Sequence, residues 1–245
     1  MNNFPIETLI KGRARKTDKD KWYPTRVDTY RKNLKIATDN GSNDALRSNI
    51  AYNLQYLELL QKELDELELS ASLRRMVIKT YIITGTAILE GIFAYTVRAN
   101  SLWKRKNLEK IIEFTSNPKK NGEERYVAKT GIYKIVPEYD VPEMKLYELI
   151  NILDNHQDAL KINYWFYKPM QKMRDLRNKI HLTDAEDNQD NDYHVFDDDV
   201  QAKMRGILYE VLTSDEISES TKYYDFLTPK KETEAEQRQD APACE

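Results

Sequence analysis

Residues 76–97 read MVIKTYIITGTAILEGIFAYTV and form the most apolar run of the chain. Lys79 and Glu90 interrupt this run and leave ten uncharged residues between them, whereas a helix that spans a membrane needs about 20 apolar residues. A helix built from this sequence is apolar on most sides. We therefore predict a buried helix over roughly residues 71–100, at the centre of a helical bundle, and no membrane span.

The preceding segment, residues 42–70, predicts a second long helix that packs on the central one. Its apolar side chains recur every three or four residues, which is the spacing of an amphipathic helix; they are Leu46, Ile50, Leu54, Leu57, Leu60, Leu64 and Leu67. Gly85 and Gly91 of the central helix have no side chain that keeps a neighbouring helix away. We expect close packing at both glycines.

The rest of the chain predicts further helices and one hairpin. The further helices are expected at residues 25–37, 101–116, 143–156, 158–183 and 200–217. Pro169 is expected to kink the fourth of these or to mark its start. In residues 125–142, two β-prone runs flank Lys129, Thr130 and Gly131 in the manner of a hairpin. The predicted fold class is therefore all-α, a helical bundle with a small β-hairpin insertion at about 125–142.

Composition divides the chain into three predicted parts. Residues 1–43 hold ten Lys and Arg against five Asp and Glu, which indicates a basic N-terminal extension. Residues 44–217 contain the predicted helical domain. Residues 218–245 form a C-terminal tail that has no large apolar residue after position 228, so we predict that the tail is flexible.

The net charge of −3 and the single cysteine narrow the possible function classes. The charge gives no global basic field of the kind that attracts nucleic acid. Cys244 can form neither an intrachain disulfide nor a cysteine-based metal cluster, which fits a reducing compartment. The first residues include no apolar core long enough for a secretory signal. We therefore expect a cytoplasmic protein that uses no cofactor and no metal.

Residues 172–182, KMRDLRNKIHL, bring together the side chains best suited to chemistry. On a helix, four polar side chains of this stretch share one face, because separations of three, four and seven residues return to nearly the same direction; they are Arg174, Arg177, Asn178 and His181. A guanidinium neutralises charge that develops on phosphate oxygens, and an imidazole transfers protons near neutral pH. Together these groups suit a phosphodiester substrate.

The same groups favour cleavage of RNA without a metal. In that reaction the 2′-hydroxyl of the substrate is the nucleophile, so the protein supplies only proton transfer and electrostatic stabilisation. DNA lacks this hydroxyl and does not react in this way. RNA is therefore the expected substrate.

The run RDLRNKIHL, late in a helical domain, resembles the signature of the HEPN superfamily. In that signature four to six residues separate an Arg from a His, and a polar residue, often Asn, directly follows the Arg. Six residues separate Arg174, which Asp175 follows, from His181. Arg177 and Asn178 supply the Arg-Asn pair, but only three residues separate Arg177 from His181. Spacing favours Arg174 as the catalytic arginine, and the choice between the two arginines stays open.

The resemblance also implies roles, an assembly and a form of control. His181 is implied as the general acid and base, with Arg177 and Asn178 as phosphate contacts. The run AILEGIF resembles the central helix of the family, which commonly carries an acidic residue that faces the site, here Glu90, and Asp175 is a second supporting group. The family implies a homodimer in which two motifs face each other, ribonuclease activity in toxin–antitoxin or anti-phage defence, and an antitoxin or other regulatory partner.

Less specific interpretations of these residues stay open. His181 is also an ordinary histidine for an amphipathic helix, and Glu90 can pair with any Lys or Arg. The aromatic run at 164–167 either packs in the core or stacks on bases. His194 with the acids of 197–199 forms either a metal site or a solvated helix cap. For the whole chain, the alternatives are a non-catalytic HEPN-like module for dimerisation or RNA binding, and a helical scaffold unrelated to HEPN.

Overall fold

The computed structural model of the chain describes residues 22–38, 41–179 and 192–228, which form a mainly helical protein with a long hairpin. The helices are α1 (Val27–Asn33), α2 (Gly41–Glu66), α3 (Ala71–Ala99), α4 (Leu146–Asn155), α5 (Tyr167–Asn178), α6 (Asp192–Val195) and α7 (Asp198–Leu212). The strands are β1 (Arg105–Thr115), β2 (Lys119–Asn121), β3 (Glu124–Tyr126) and β4 (Lys129–Asp140). Short 3₁₀ helices cover Gln157–Ala159, Tyr164–Phe166 and Thr221–Leu227.

Helix α3 is the centre of the bundle, as its apolar sequence predicts. Helices α2, α4, α5 and α7 all pack against it. Between Val77 and Val97, Ala87 is the one exposed residue, and Ile92 and Phe93 are completely enclosed. Full burial of an Ile or Phe side chain stabilises the folded state by about 1.5–3 kcal/mol, so α3 contributes a large share of the core.

The two predicted close contacts lie at the glycines of α3. A Cβ atom added to Gly85 would lie 3.0 Å from Cδ1 of Leu208 on α7. One added to Gly91 would lie 3.2 Å from Cδ1 of Leu46 on α2. Protein interiors are packed too densely to accept an extra methyl group at such distances without a shift of the neighbour. The missing side chains therefore let α2 and α7 lie directly against the backbone of α3.

Within the described residues, α3 is also the one helix that is long and apolar enough to cross a membrane by length and composition alone. Of its 18-residue window that meets this criterion, 56% is buried inside the protein. The core helix of a bundle meets the same criterion, and the burial agrees with the predicted central position of α3.

Helix α2 is amphipathic, as predicted. Its buried apolar side chains are those of Ile50, Ala51, Leu54, Leu57, Leu60 and Leu64. The buried Gln61 lies among them and accepts a hydrogen bond of 2.6 Å from Nε2 of Gln201 on α7. Because a buried amide requires a partner, this bond helps to hold α2 and α7 together across the core.

Helix α5 is shorter than predicted. Residues 158–183 were expected to form one helix, whereas α5 begins at Tyr167 after two 3₁₀ turns and ends at Asn178. Pro169 lies in the first turn of α5, where its missing N–H removes no helical hydrogen bond. The proline therefore marks a helix start, one of the two expected outcomes. Residues 180–191 lie outside the described residues.

Helix α7 begins where the acidic sequence predicts a cap. The side chain of Asp197 accepts a hydrogen bond of 2.9 Å from the backbone N–H of Val200, which satisfies one of the free donors of the first turn. The helix ends at Leu212, five residues before the predicted end at 217.

The predicted helix at 101–116 is wrong. Strand β1 occupies this segment and pairs with β4 in an antiparallel ladder from Arg105 opposite Asp140 to Thr115 opposite Lys129. Strands β2 and β3 pair with each other at the far end. The hairpin therefore covers residues 105–140 rather than 125–142 and is larger than the sequence predicts.

The cause of this error is a conflict between composition and pairing. The Lys and Glu residues of 101–116 are good helix formers, but Ile111, Ile112 and Phe114 favour strands. Pairing with β4 decides the outcome, because Glu109 faces Lys134 and facing residues of opposite charge stabilise antiparallel strands.

Parts of both predicted appendages pack against the helical domain. The side-chain amide of Asn33 donates to the carbonyl oxygen of Ser220 at 2.9 Å and to the hydroxyl oxygen of Tyr224 at 3.1 Å. The rings of Tyr30 and Tyr224 are stacked with their centroids 6.1 Å apart. Both tyrosines are completely buried. Residues near 30 and near 224 therefore share one core, and the predictions for 1–21 and 229–245 lie outside the described residues.

Replacing Gly85 with Leu is expected to lower the free energy of unfolding by about 1–3 kcal/mol, because the new side chain overpacks the contact with α7. The matched control is Gly206→Leu on α7, where nothing lies within 4 Å of an added Cβ and Leu has the higher helix propensity. Urea denaturation followed by circular dichroism compares the two variants. Equal free energies of unfolding for the two variants would show that the contact between Gly85 and α7 accepts a larger side chain.

Candidate active site

An ion pair joins the central helix to the predicted site. Nη2 of Arg177, near the end of α5, donates to Oε2 of Glu90 on α3 at 3.2 Å. The two side chains are 36% and 34% exposed, respectively. Glu90 is therefore half-buried rather than enclosed, and of the two candidate arginines it is Arg177 that pairs with it.

Arg174 lies one helical turn earlier and has different surroundings. It forms an ion pair with the neighbouring Asp175, and its guanidinium carbon lies 5.7 Å from the ring centroid of Tyr147. Its Nε atom is buried and has no hydrogen-bond partner among the described residues. Asp175 is 55% exposed, and an ion pair with so exposed a carboxylate contributes little. Another anion can therefore replace Asp175 at Arg174.

Asn178 is the last residue of α5 and lies beside Arg177. Its side-chain oxygen accepts a hydrogen bond of 3.4 Å from Nη1 of Arg177. Arg177 therefore has two side-chain acceptors, Glu90 on one nitrogen and Asn178 on the other, which restrict the orientation of its guanidinium.

These side chains line a cavity of about 510 Å³ between α3, α4 and α5. Glu90, Arg174, Arg177 and Asn178 form part of its wall. The rest of the wall was not predicted from the sequence. It comes from the start of α4 and the residues just before it: Glu143, Lys145, Leu146 and Tyr147. The wall therefore combines two guanidinium groups and an ammonium with two carboxylates, and such a set suits an anion that competes with the carboxylates for the cations.

The start of α4 is fixed by an acidic side chain. Oε2 of Glu148 accepts a hydrogen bond of 3.0 Å from the backbone N–H of Lys145, and Lys104 lies 3.2 Å from the other carboxylate oxygen. The hydrogen bond from Lys145, followed by the Lys104 ammonium, holds the pKa of Glu148 below its usual value. The local signal for these cavity residues was the EMKLYE run at a predicted helix start, but nothing local links it to α5.

Five of the six predicted site residues lie together in this region. They are Glu90, Arg174, Asp175, Arg177 and Asn178. The sixth, His181, lies outside the described residues. Of the four side chains predicted to share one face of this helix, the described residues include Arg174, Arg177 and Asn178, and all three line the cavity.

Other candidates have different surroundings. Tyr164 and Trp165 are 56% and 59% exposed, with ring centroids 4.4 Å apart, whereas Tyr167 is buried and its burial raises the pKa of its hydroxyl to about 12. The aromatic run therefore divides between the core and the surface. Within the three described segments, no group of three or more His, Cys, Asp and Glu side chains is arranged to hold a metal ion.

Comparison of the chain with protein-family models, with curated proteins and with solved structures gives no match.

Replacing Glu90 with Gln is expected to lower the free energy of unfolding by less than about 1 kcal/mol, because an ion pair with this much solvent exposure contributes little to stability. Thermal and urea denaturation of Glu90→Gln and of Arg177→Gln measure this effect. A loss of several kcal/mol in either variant would identify the pair as a structural element of the core.

Proposed function

We propose that this chain is a metal-independent endoribonuclease of the HEPN type. The observation that carries the proposal is the ion pair between Glu90 and Arg177 at the wall of a polar cavity. It connects an acidic residue of the central helix with the arginine-containing motif, which is the relation that the resemblance implies. The chemistry of the cavity wall supports the proposal independently, because its cations suit a phosphodiester.

In the proposed reaction each group has a separate role. The 2′-hydroxyl of the RNA attacks the adjacent phosphorus, the bond to the 5′-oxygen breaks, and a 2′,3′-cyclic phosphate and a 5′-hydroxyl result. His181 takes the proton of the attacking hydroxyl or gives a proton to the leaving oxygen. Arg174 stabilises the negative charge that develops on the phosphate, while Arg177 and Asn178 hold the phosphate in position.

His181 is close enough in the chain to serve this cavity. His181 is the third residue after Asn178, and a fully extended chain covers at most about 3.6 Å per residue. The chain between the two residues is therefore at most about 11 Å long, which is short enough for a role of His181 at this cavity.

The different surroundings of the two arginines favour Arg174 as the group that stabilises the transition state. Glu90 and Asn178 hold Arg177 in a fixed orientation, which suits a positioning role. Arg174 pairs with an exposed carboxylate on the next residue. A phosphate can take the place of that carboxylate without leaving a buried charge unpaired.

The biological setting that we propose follows from the resemblance. The enzyme is a cytoplasmic homodimer with no membrane attachment, and two copies of the motif contribute to one active site. Two imidazoles then provide the base and the acid that the reaction needs. Because unrestrained RNA cleavage harms a cell, we propose a role in toxin–antitoxin or anti-phage defence and control by an antitoxin or another regulatory protein.

Purified protein is expected to cleave total RNA and transfer RNA in excess EDTA and to leave 2′,3′-cyclic phosphate ends. His181→Ala is expected to lower the rate about 10²–10⁴-fold through loss of proton transfer. Mapping of the fragment ends by sequencing and by end-specific ligation measures both results. His156→Ala is the matched control, because this histidine ends α4 and is not part of the proposed site, and it is expected to retain full activity.

The alternative is a HEPN-like module that dimerises or binds RNA without cleaving it. Only three residues separate Arg177 of the Arg-Asn pair from His181, which favours this alternative. If the wild-type protein and His181→Ala both bind RNA and both leave it intact, the alternative is correct and the proposed ribonuclease activity is not.

A further inference from the structure

The hairpin of residues 105–140 has no packing partner among the described residues of the chain. Every residue of β1 is exposed, and every residue of β4 is exposed except Gly131 and Val136, which are intermediate. The chain leaves α3 at the base of this hairpin and enters the cavity wall at Glu143 immediately after it. The hairpin is thus an arm attached next to the candidate active site.

The arm exposes much more apolar surface than an isolated hairpin can keep in water. Ten of its large apolar side chains are between 41% and 79% exposed. One apolar cluster contains Leu108 and Ile135, which face each other, and the neighbouring Tyr133. On the other side, Ile112 faces Ile132 beside Phe114. A two-stranded hairpin is marginally stable at best in water, and its open edges pair readily with other strands, so both clusters require a cover.

We propose that the arm is a homodimerisation element, and that a second copy of this chain covers both of its faces. The proposal concerns assembly and stands whether or not the protein cleaves RNA. Two properties of the arm favour a second copy as its partner: its exposed apolar area and its charge.

The exposed area matches the requirement of a stable dimer. A Phe or Tyr side chain buries about 150–250 Å² when it is covered completely. Ten half-exposed side chains of this size or slightly smaller therefore offer on the order of 800 Å², counted over both faces of the arm, which equals the contribution of one partner to a standard interface. An exposed apolar surface of this size marks an interaction site.

The charge of the strands favours a second copy over RNA. The arm of residues 105–140 carries eight Lys and Arg against six Asp and Glu. Three of these cations are already paired with acids of the arm, because Glu113 pairs with Lys110 and lies 3.8 Å from Lys129, while Arg105 lies 3.1 Å from Asp140. Binding to the RNA backbone requires an excess of cations. An apolar arm with so small an excess meets a second copy of a chain whose net charge is −3 without the cation surplus that RNA requires.

The test is a variant that removes the apolar clusters and keeps the hairpin. Ile112→Glu with Ile132→Lys, combined with Leu108→Glu and Ile135→Lys, places opposite charges on facing positions, which supports strand pairing. The control is Tyr52→Glu with Leu73→Lys, which changes side chains of α2 and α3 that are 66% and 43% exposed. Light scattering coupled to size exclusion measures the mass, and circular dichroism verifies the helical content.

The wild-type protein and the control are expected to have twice the mass of one 28.9 kDa chain at micromolar concentration, and the arm variant the mass of one chain with unchanged helicity. Hydrogen exchange of the wild-type protein is expected to show protection of 105–140 that increases with protein concentration. A monomeric wild-type protein, a dimeric arm variant, or protection of the arm by single-stranded RNA alone would overturn the proposal.

Discussion

The enclosure of α3 determines where its one carboxylate can lie. Neighbouring helices cover α3 so completely that a charged side chain near its middle must reach the edge of the buried face and find a partner there. Glu90 does both, since it is about one-third exposed and pairs with Arg177. This contact lies at the end of α5, where both arginines of the motif line the cavity. The burial of α3 thus also determines where the polar cavity that contains Glu90 can lie.

The cavity contains cations in two different states. Arg177 has two fixed acceptors, whereas Arg174 has an exposed carboxylate from the adjacent residue and a buried Nε without a described partner. A guanidinium that is held in place orients a substrate. A guanidinium that can exchange its partner is able to pair with the negative charge that develops on the phosphate. Tyr147 and Lys145 from α4 complete the wall. This arrangement suits a substrate with one negative charge at the point of reaction, such as a phosphodiester.

Local sequence patterns were sufficient to predict the core helices, but not the contacts between segments that are far apart in the sequence. The period of the leucines predicts α2, and the apolar run predicts α3 and the position of Glu90 on it. The segment 101–116 was predicted as a helix because its Lys and Glu content satisfies a helix, while the strand that decides its structure begins only at Lys129. Lys145 and Tyr147 were missed for the same reason, since their relation to α5 exists only in three dimensions. Where two segments meet is a tertiary property that no single window of sequence contains.

The most direct test of the proposed chemistry uses two oligonucleotides that differ in one atom. Once the preferred cleavage position in an RNA oligonucleotide has been mapped, the same oligonucleotide is prepared with a 2′-deoxynucleotide at the 5′ side of that bond. We expect the protein in EDTA to cleave the all-ribose strand at this bond and to leave the deoxy-substituted bond intact, while it binds both strands equally well. Cleavage of both strands at that bond would contradict a mechanism in which the 2′-hydroxyl is the nucleophile.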